Sequence, residues 1–318
     1  MKIFRHYGDV PESCKGAVVT IGNFDGVHLG HQALIAHARD LAKGLGAPLA
    51  VLAFEPHPQE FFHHDTECFR LTPLRTKARL LAEQGIDVMY ALPFDAEMAQ
   101  RSAEEFVRGI LVEGLGVRGV VVGADFRFGK ARTGDSRLLA ELGRALGFAT
   151  EIVRTIVARD AQKISSSEIR AALKTGRPQD AAKLLGHWWM VEARVEHGER
   201  RGRELGFPTA NMPLVGYLKP AFGIYAVRAT ITENEKPVGV HDGVANLGIR
   251  PMFESPTPLL EAFLFDFSGD LYGKHLAVEL IAYLRPEMKF DTIDALKAQM
   301  AKDSEAARAA LDRAGARC

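Results

Sequence analysis

Hydrophobic positions fall into two textures along the 318 residues. In the first half, short apolar runs alternate with longer amphipathic stretches. Ala17 to Ile21, Leu49 to Phe54, Val88 to Leu92 and Gly119 to Val122 read as strands buried on both faces. Between them, Gln32 to Lys43, Thr76 to Gln84 and Arg137 to Leu146 read as helices, stopped at Gly44, Gly85 and Gly147. Apolar strands separated by helices imply βαβ units and a parallel sheet covered on both sides.

The texture changes near Leu185-Gly186-His187. Trp188 to Val195, Tyr225 to Ile231, Val238 to Val244, Leu259 to Phe267 and Leu276 to Leu284 are rich in Val, Phe and Tyr, with Gly, Pro and Asn turns between them. That pattern predicts a compact antiparallel barrel. Thr292 to Ala314 predicts one or two amphipathic helices packed on it. The chain is therefore expected to form two domains, residues 1–185 and 186–318, each long enough for its own core.

Charge narrows the partners. Forty basic residues balance forty acidic ones, so no net positive field gathers nucleic acid or an anionic membrane. Any anionic ligand has to be held by local groups. Cys14, Cys68 and Cys318 are scattered and form no CxxC pair, which is the usage of a reducing compartment. No run approaches the ~20 apolar residues of a membrane span, and no leader-like stretch follows Met1. The expectation is a soluble cytoplasmic protein acting on small molecules, with no nucleic-acid or membrane partner.

Candidate chemistry lies at strand ends, where open α/β sheets bind ligands. The strand ending at Ile21 runs into Gly22-Asn23-Phe24-Asp25-Gly26-Val27-His28-Leu29-Gly30-His31. Glycines let a backbone approach phosphate closely, and a helix N-terminus there presents free N–H groups. His28 and His31, either side of Gly30, can donate to phosphate oxygens and stabilise developing charge. A metal site, with His57, His63 and His64 as further ligands, is the competing reading. Phe54-Glu55-Pro56-His57-Pro58 opens on the same rim. Gly123 to Gly129 brings Asp125 and Arg127 to another strand end. Ser165 and Ser166, in Ile164-Ser165-Ser166-Ser167-Glu168-Ile169-Arg170, can cap a helix and also bond phosphate.

In the second half, Thr209 and Asn211 are two apart, so an extended segment points both the same way. A hydroxyl and an amide oxygen side by side make a partial Mg²⁺ shell, the rest coming from water and phosphate. Glu261 is the one charge in the apolar strand Leu259 to Leu264, where an unpaired carboxylate is costly. Alternation sets it opposite Leu260 and Ala262, so the competing reading is an outward-facing strand residue.

These strings resemble the prokaryotic bifunctional riboflavin kinase/FAD synthetases. G-N-F-D-G-V-H-L-G-H, F-E-P-H-P, D-F-R-F-G and I-S-S-S-E-I-R resemble the FAD synthetase module, an HxGH nucleotidyltransferase with a Rossmann-like parallel sheet. G-R-E-L-G-F-P-T-A-N, G-V-A-N-L-G-I-R-P and L-R-P-E-M-K-F resemble the riboflavin kinase module, a small antiparallel β-barrel with a C-terminal helix. The resemblance implies ATP, riboflavin and FMN as substrates, with Mg²⁺. It implies phosphorylation of riboflavin to FMN in the second half and adenylylation of FMN to FAD in the first. It assigns His28 and His31 to catalysis of adenylyl transfer. It sets Gly22, Asn23, Phe24, Gly30, Asp125, Arg127, Ser165, Ser166 and Arg170 around ATP and FMN. In the kinase it sets Gly202, Arg203, Gly206, Pro208, Asn246 and Arg285 at ATP and flavin, Thr209 and Asn211 at the metal, and Glu261 as base. Three departures are visible: Ser167 replaces a threonine, Ala262-Phe263 stands where the family usually has a histidine, and Met252 replaces a threonine after Pro251. The alternatives are that the adenylyltransferase alone is active, or that the chain is a flavin-binding regulator.

Overall fold

The computed structural model describes residues 1–63, 68–154, 164–197, 207–233, 236–249 and 258–315. Two compact units separate: Met1–Glu67 with Thr72–Ser165, and Cys68–Leu71 with Ser166–Cys318.

Among the described residues the first unit holds eight strands: β1 Lys2–Phe4, β2 Val18–Ile21, β3 Leu49–Phe54, β4 Val88–Leu92, β5 Gly119–Gly123, β6 Arg127–Phe128, β7 Gly134–Asp135 and β8 Ala149–Val153. Six form one sheet in the order β1-β4-β3-β2-β5-β8, every pair parallel. Successive side chains go to opposite faces, and both faces are covered. Val19, Leu52, Tyr90 and Val120 enter one core cluster, and Val18, Val51, Met89 and Val121 the other. That double burial is why these strands read as unbroken apolar runs rather than as alternation. β6 and β7 form a separate two-stranded hairpin beyond β5.

The first crossover helix runs Leu29–Leu45, three residues earlier than the pattern predicts. His28 is its N-cap, and its Nδ1 accepts from the His31 amide at 3.3 Å. Gly30 and His31 therefore belong to the first turn rather than preceding it. Gly46, at φ 58°, ends the helix. Among the elements that the hydrophobic pattern does not mark are the π-helical stretch Phe106–Gly114 and β8, an edge strand carrying Thr150 and Glu151.

The second unit is a nearly closed barrel of β9 Met190–Arg194, β10 Ala210–Pro213, β11 Gly223–Glu233, β12 Lys236–Ile249, β13 Pro258–Leu264 and β14 His275–Arg285. The order is β10-β13-β12-β11-β14-β9, antiparallel throughout. A bridge from Glu196 to Asn211 brings the two ends together. β13 alternates strictly: Leu260, Ala262 and Leu264 are buried in the barrel, while Leu259, Glu261 and Phe263 are half-buried on its outer face. One continuous helix, Ile293–Ala314, packs on that outer face through Ala307, Ala310 and Leu311. Helices Ser166–Lys174 and Pro178–Leu185 belong to this unit. So does the segment 68–71: Phe69, Arg70 and Leu71 carbonyls accept from Arg170 Nε (2.8 Å), the Leu218 amide (2.7 Å) and Trp189 Nε1 (2.9 Å).

Candidate active sites

In the first unit, the segment from Gly22 to His28 is held in a shape its residues do not favour. Phe24 and Val27 adopt φ of 49° and 43°, and Gly26 adopts 86°. A β-branched residue at positive φ is a strained conformation that the surroundings must impose. The restraint is visible. Asp25, 2% exposed, accepts from the amide and hydroxyl of Thr72 at 3.0 and 3.3 Å, and the Gly26 amide donates to Thr72 Oγ1 at 2.9 Å. Phe24 is fully buried, its ring 5.0 Å from that of His31.

The two imidazoles are stacked, with ring centroids 3.6 Å apart. Accepting at Nδ1 leaves His28 with its proton on Nε2, which makes Nε2 a donor. His31 Nδ1 is buried without a hydrogen-bond partner. Burial, then His28, then the buried Lys77 hold the His31 pKa well below its ordinary value, so the ring is neutral near neutral pH.

Beside this loop lies a cavity of about 770 Å³, within the range of sites for cofactor-sized ligands. Its polar wall includes Gly22, Asn23, His57, Asp125, Arg127 and Arg132. Arg127 also pairs with Asp135 at 3.1 Å. Much of the remaining wall is aromatic, from Phe54, Phe62, Phe94, Phe106, Phe126 and Phe128, with Gln59, Met98 and Arg101 also in it. Phe54, Phe126 and Phe128 fall in the strand-end strings read from the sequence, whereas Phe62, Phe94 and Phe106 come from separate segments and were missed; the clustered Phe61-Phe62 was an available signal. Ser165 lies in the first unit, whereas Ser166 opens the helix Ser166–Lys174 of the second. Arg170 lies on that helix, its guanidinium 5.0 Å from the Phe69 ring.

The second unit builds its site by strand register. Asn211 pairs with Glu261, Glu261 with Asn246, Asn246 with Ile224, and Ile224 with Arg285. Directly paired residues project to the same face, so this is one lateral row across five strands. Four of its members, together with Thr209, line a cavity of about 310 Å³. The helix Ile293–Ala314 supplies the opposite wall through Leu296, Met300 and Asp303. Arg285 is held by the 6%-exposed Asp303 through Nε (2.8 Å) and Nη2 (2.6 Å). Asn246 Nδ2 donates to Glu287 at 3.3 Å. Glycine at 248 makes room for that contact, since a Cβ there would stand 2.2 Å from Glu287 Oε1. Pro208 is exposed beside the cavity residues Phe207 and Thr209. Gly202, Arg203, Gly206 and Met252 lie outside the described residues.

The two cavities differ in their chemistry: the first lies beside the loop that leads to the stacked His28 and His31, and the second has Glu261 and Asn246 in its wall. Family profiles for FAD synthetase and riboflavin kinase match residues 10–168 and 185–311. A bifunctional riboflavin kinase/FMN adenylyltransferase from Escherichia coli (strain K12) is 41% identical over 309 residues, 97% of each chain. One from Haemophilus influenzae is 40% identical, covering 97% of this chain and 99% of the other. The chain belongs to this family of bifunctional riboflavin kinase/FMN adenylyltransferases. A solved structure from Streptococcus pneumoniae, described as a macrolide-efflux protein, is 28% identical with a TM-score of 0.84, covering 96% of this chain and 98% of that one. Among the described residues no helix is long and apolar enough to cross a membrane. In the family's order, the FAD synthetase half contains the stacked histidines and the riboflavin kinase half contains Glu261.

Proposed function

We propose that the second unit phosphorylates riboflavin to FMN at the Glu261 cavity, and that the first adenylylates FMN to FAD beside His28 and His31. The observation that carries this reading is the separation of two cavities, each with its own set of reactive groups, one in each half of the chain.

In the kinase, Glu261 accepts the proton of the terminal ribityl hydroxyl as that oxygen bonds the γ-phosphorus of ATP and ADP leaves. The flanking amides of Asn211 and Asn246 hold the carboxylate's neighbourhood polar without adding a competing charge. The donors Thr209 and Asn211 are hard, neutral oxygens, and they fit a Mg²⁺ ion that takes its remaining ligands from phosphate and water. When bound, the ion neutralises polyphosphate charge.

In the adenylyltransferase, an FMN phosphate oxygen bonds the α-phosphorus of ATP while the bond to the β-phosphate oxygen breaks and pyrophosphate leaves. No covalent enzyme intermediate is needed, so alignment and charge stabilisation carry the catalysis. His28 Nε2–H and the amides of the first helical turn donate to phosphate. The aromatic walls take the flavin ring.

Separating the flavins after incubation of the pure chain with riboflavin, ATP and Mg²⁺ tests the reading. FMN and FAD should both form, and excess chelator should abolish both. FAD from added FMN without any FMN from riboflavin would leave only the adenylyltransferase standing. Unchanged riboflavin and FMN would favour a flavin-binding regulator.

A further inference from the structure

Arg285 ends the lateral row that holds Glu261, and the protein itself engages its guanidinium. Nε and Nη2 donate to the two carboxylate oxygens of Asp303 at 2.8 and 2.6 Å, and Nη1 donates to the Pro286 carbonyl at 2.8 Å. The Phe290 ring lies 6.0 Å from the guanidinium. Gln299 Nε2, one turn before Asp303, also donates to Asp303 Oδ1, at 2.9 Å. A planar guanidinium that grips both oxygens of a carboxylate fixes orientation as well as distance.

The place of this pair along the helix Ile293–Ala314 gives it a function. Asp303 is the first buried residue of that helix. The turns before it carry Leu296 and Met300, which wall the 310 Å³ cavity, yet every residue in them is exposed or half-buried. Among the described residues, no side chain from Ile293 to Lys302 forms a hydrogen bond or ion pair with the barrel. The helix's other ties lie further on. Ala307, Ala310 and Leu311 pack in the core, Arg308 pairs with Asp266 at 3.1 Å, and the Gly315 carbonyl accepts from Arg228 Nη1 at 3.1 Å. The half of the helix that covers the cavity is therefore tied to the strand face by one polar contact, Asp303 to Arg285.

We propose that Asp303 is a positioning residue for riboflavin phosphorylation. Through Arg285 it sets the distance of the Leu296–Met300 wall from the row that holds Glu261, and Arg285 works through this contact rather than on the substrate. The inference rests on the reading that this cavity takes riboflavin.

The test is a double-mutant cycle in the full chain, with wild type, R285Q, D303N and R285Q/D303N, and with M300W as a control. It reads kcat and the KM for riboflavin from the total FMN and FAD formed with ATP and Mg²⁺, and the urea midpoint of each variant. Each single variant should raise the KM for riboflavin about tenfold, within the span of coupling between residues in contact, with kcat changing less. The double variant should be no worse than either single one, since both act through the same contact. It also removes both charges together and so leaves no stranded buried charge to unfold the unit. A purely structural ion pair would lower the urea midpoint and leave the KM of the folded enzyme at the wild-type value, which would overturn the proposal. If R285Q raises the KM as much again in the D303N background, Arg285 acts on the substrate and the proposal is overturned as well. M300W fills the cavity without removing either partner of the pair and controls for the underlying reading. If M300W leaves the KM for riboflavin unchanged, the cavity is not the flavin site and the inference falls with that reading. If M300W raises it while the three pair variants stay within twofold of wild type, the cavity reading stands and the positioning role of Asp303 is overturned.

Discussion

The histidine loop of the first unit holds its shape against the preferences of its own residues, whereas the polar row of the second unit falls where undistorted strand pairing puts it. Phe24 and Val27 sit at positive φ because Asp25 and Gly26 are tied to Thr72, distant in sequence. Asn211, Glu261 and Asn246 need no such restraint, since ladder register alone brings them side by side. A site built on a strained loop depends on remote anchors and is lost by relaxation. A site built on register depends on its own side chains and on whatever covers the strand face. The two units should therefore fail in different ways.

The largest expected effect is at the register-built site. Glu261→Gln keeps shape and pairing but removes the proposed base, and FMN formation should slow by roughly 10²–10⁴-fold. Assays of riboflavin phosphorylation and of FAD formation from added FMN should separate, with the second unchanged. At the loop-built site a residue that touches no substrate should matter. Thr72→Val removes the hydroxyl that accepts from the Gly26 amide. Losing a buried partner costs about 1–3 kcal/mol. FAD formation should drop by about tenfold while riboflavin phosphorylation holds. Equal activity to wild type would show that the loop keeps its shape unaided. A smaller effect is expected from Gly248→Ala, because only the flexible end of Glu287 has to yield. The Asn246 bond would be lost and the KM for riboflavin should rise a few-fold, with folding stability little changed.

The smallest effect is a pH dependence confined to the first unit. The pKa of His31 is depressed in the fold, so near and below its ordinary value of about 6.5 the unfolded chain binds the extra proton more readily. Stability of that unit should then fall as pH drops through about 6.5. His31→Gln, which cannot titrate, should flatten that fall when urea midpoints are compared on either side of pH 6.5. A variant that loses stability as steeply as wild type would contradict the assignment of burial at His31.

The same contrast governs how much the sequence disclosed. The strands Leu49–Phe54 and Val88–Leu92 were legible to the residue, because burial on both faces writes an unbroken apolar run. β8 was not, since an edge strand with Thr150 and Glu151 carries no such mark. The histidine loop was legible because glycines and two histidines crowd into one short string. Its aromatic cavity was not, because Phe54, Phe94 and Phe106 are brought together only by the sheet and its crossovers. Glu261 could be read two ways, and its placement is compatible with both. It does face outward from the barrel, but the helix Ile293–Ala314 turns that outer face into a cavity wall. Alternation along one strand cannot reveal a cover that comes from later in the chain.

That each half carries a self-sufficient site, linked only through free FMN, is tested most directly by mixing two folded single-site variants. Glu261→Gln alone should make FAD from FMN but almost none from riboflavin. His31→Ala, which removes a proposed catalytic group and is expected to cost on the order of 10²–10³-fold in adenylyl transfer, should stop at FMN. Mixed in one tube with riboflavin, ATP and Mg²⁺, they should together restore FAD synthesis. A mixture that makes no more FAD from riboflavin than either variant alone, although each retains its own activity, would contradict two independent sites.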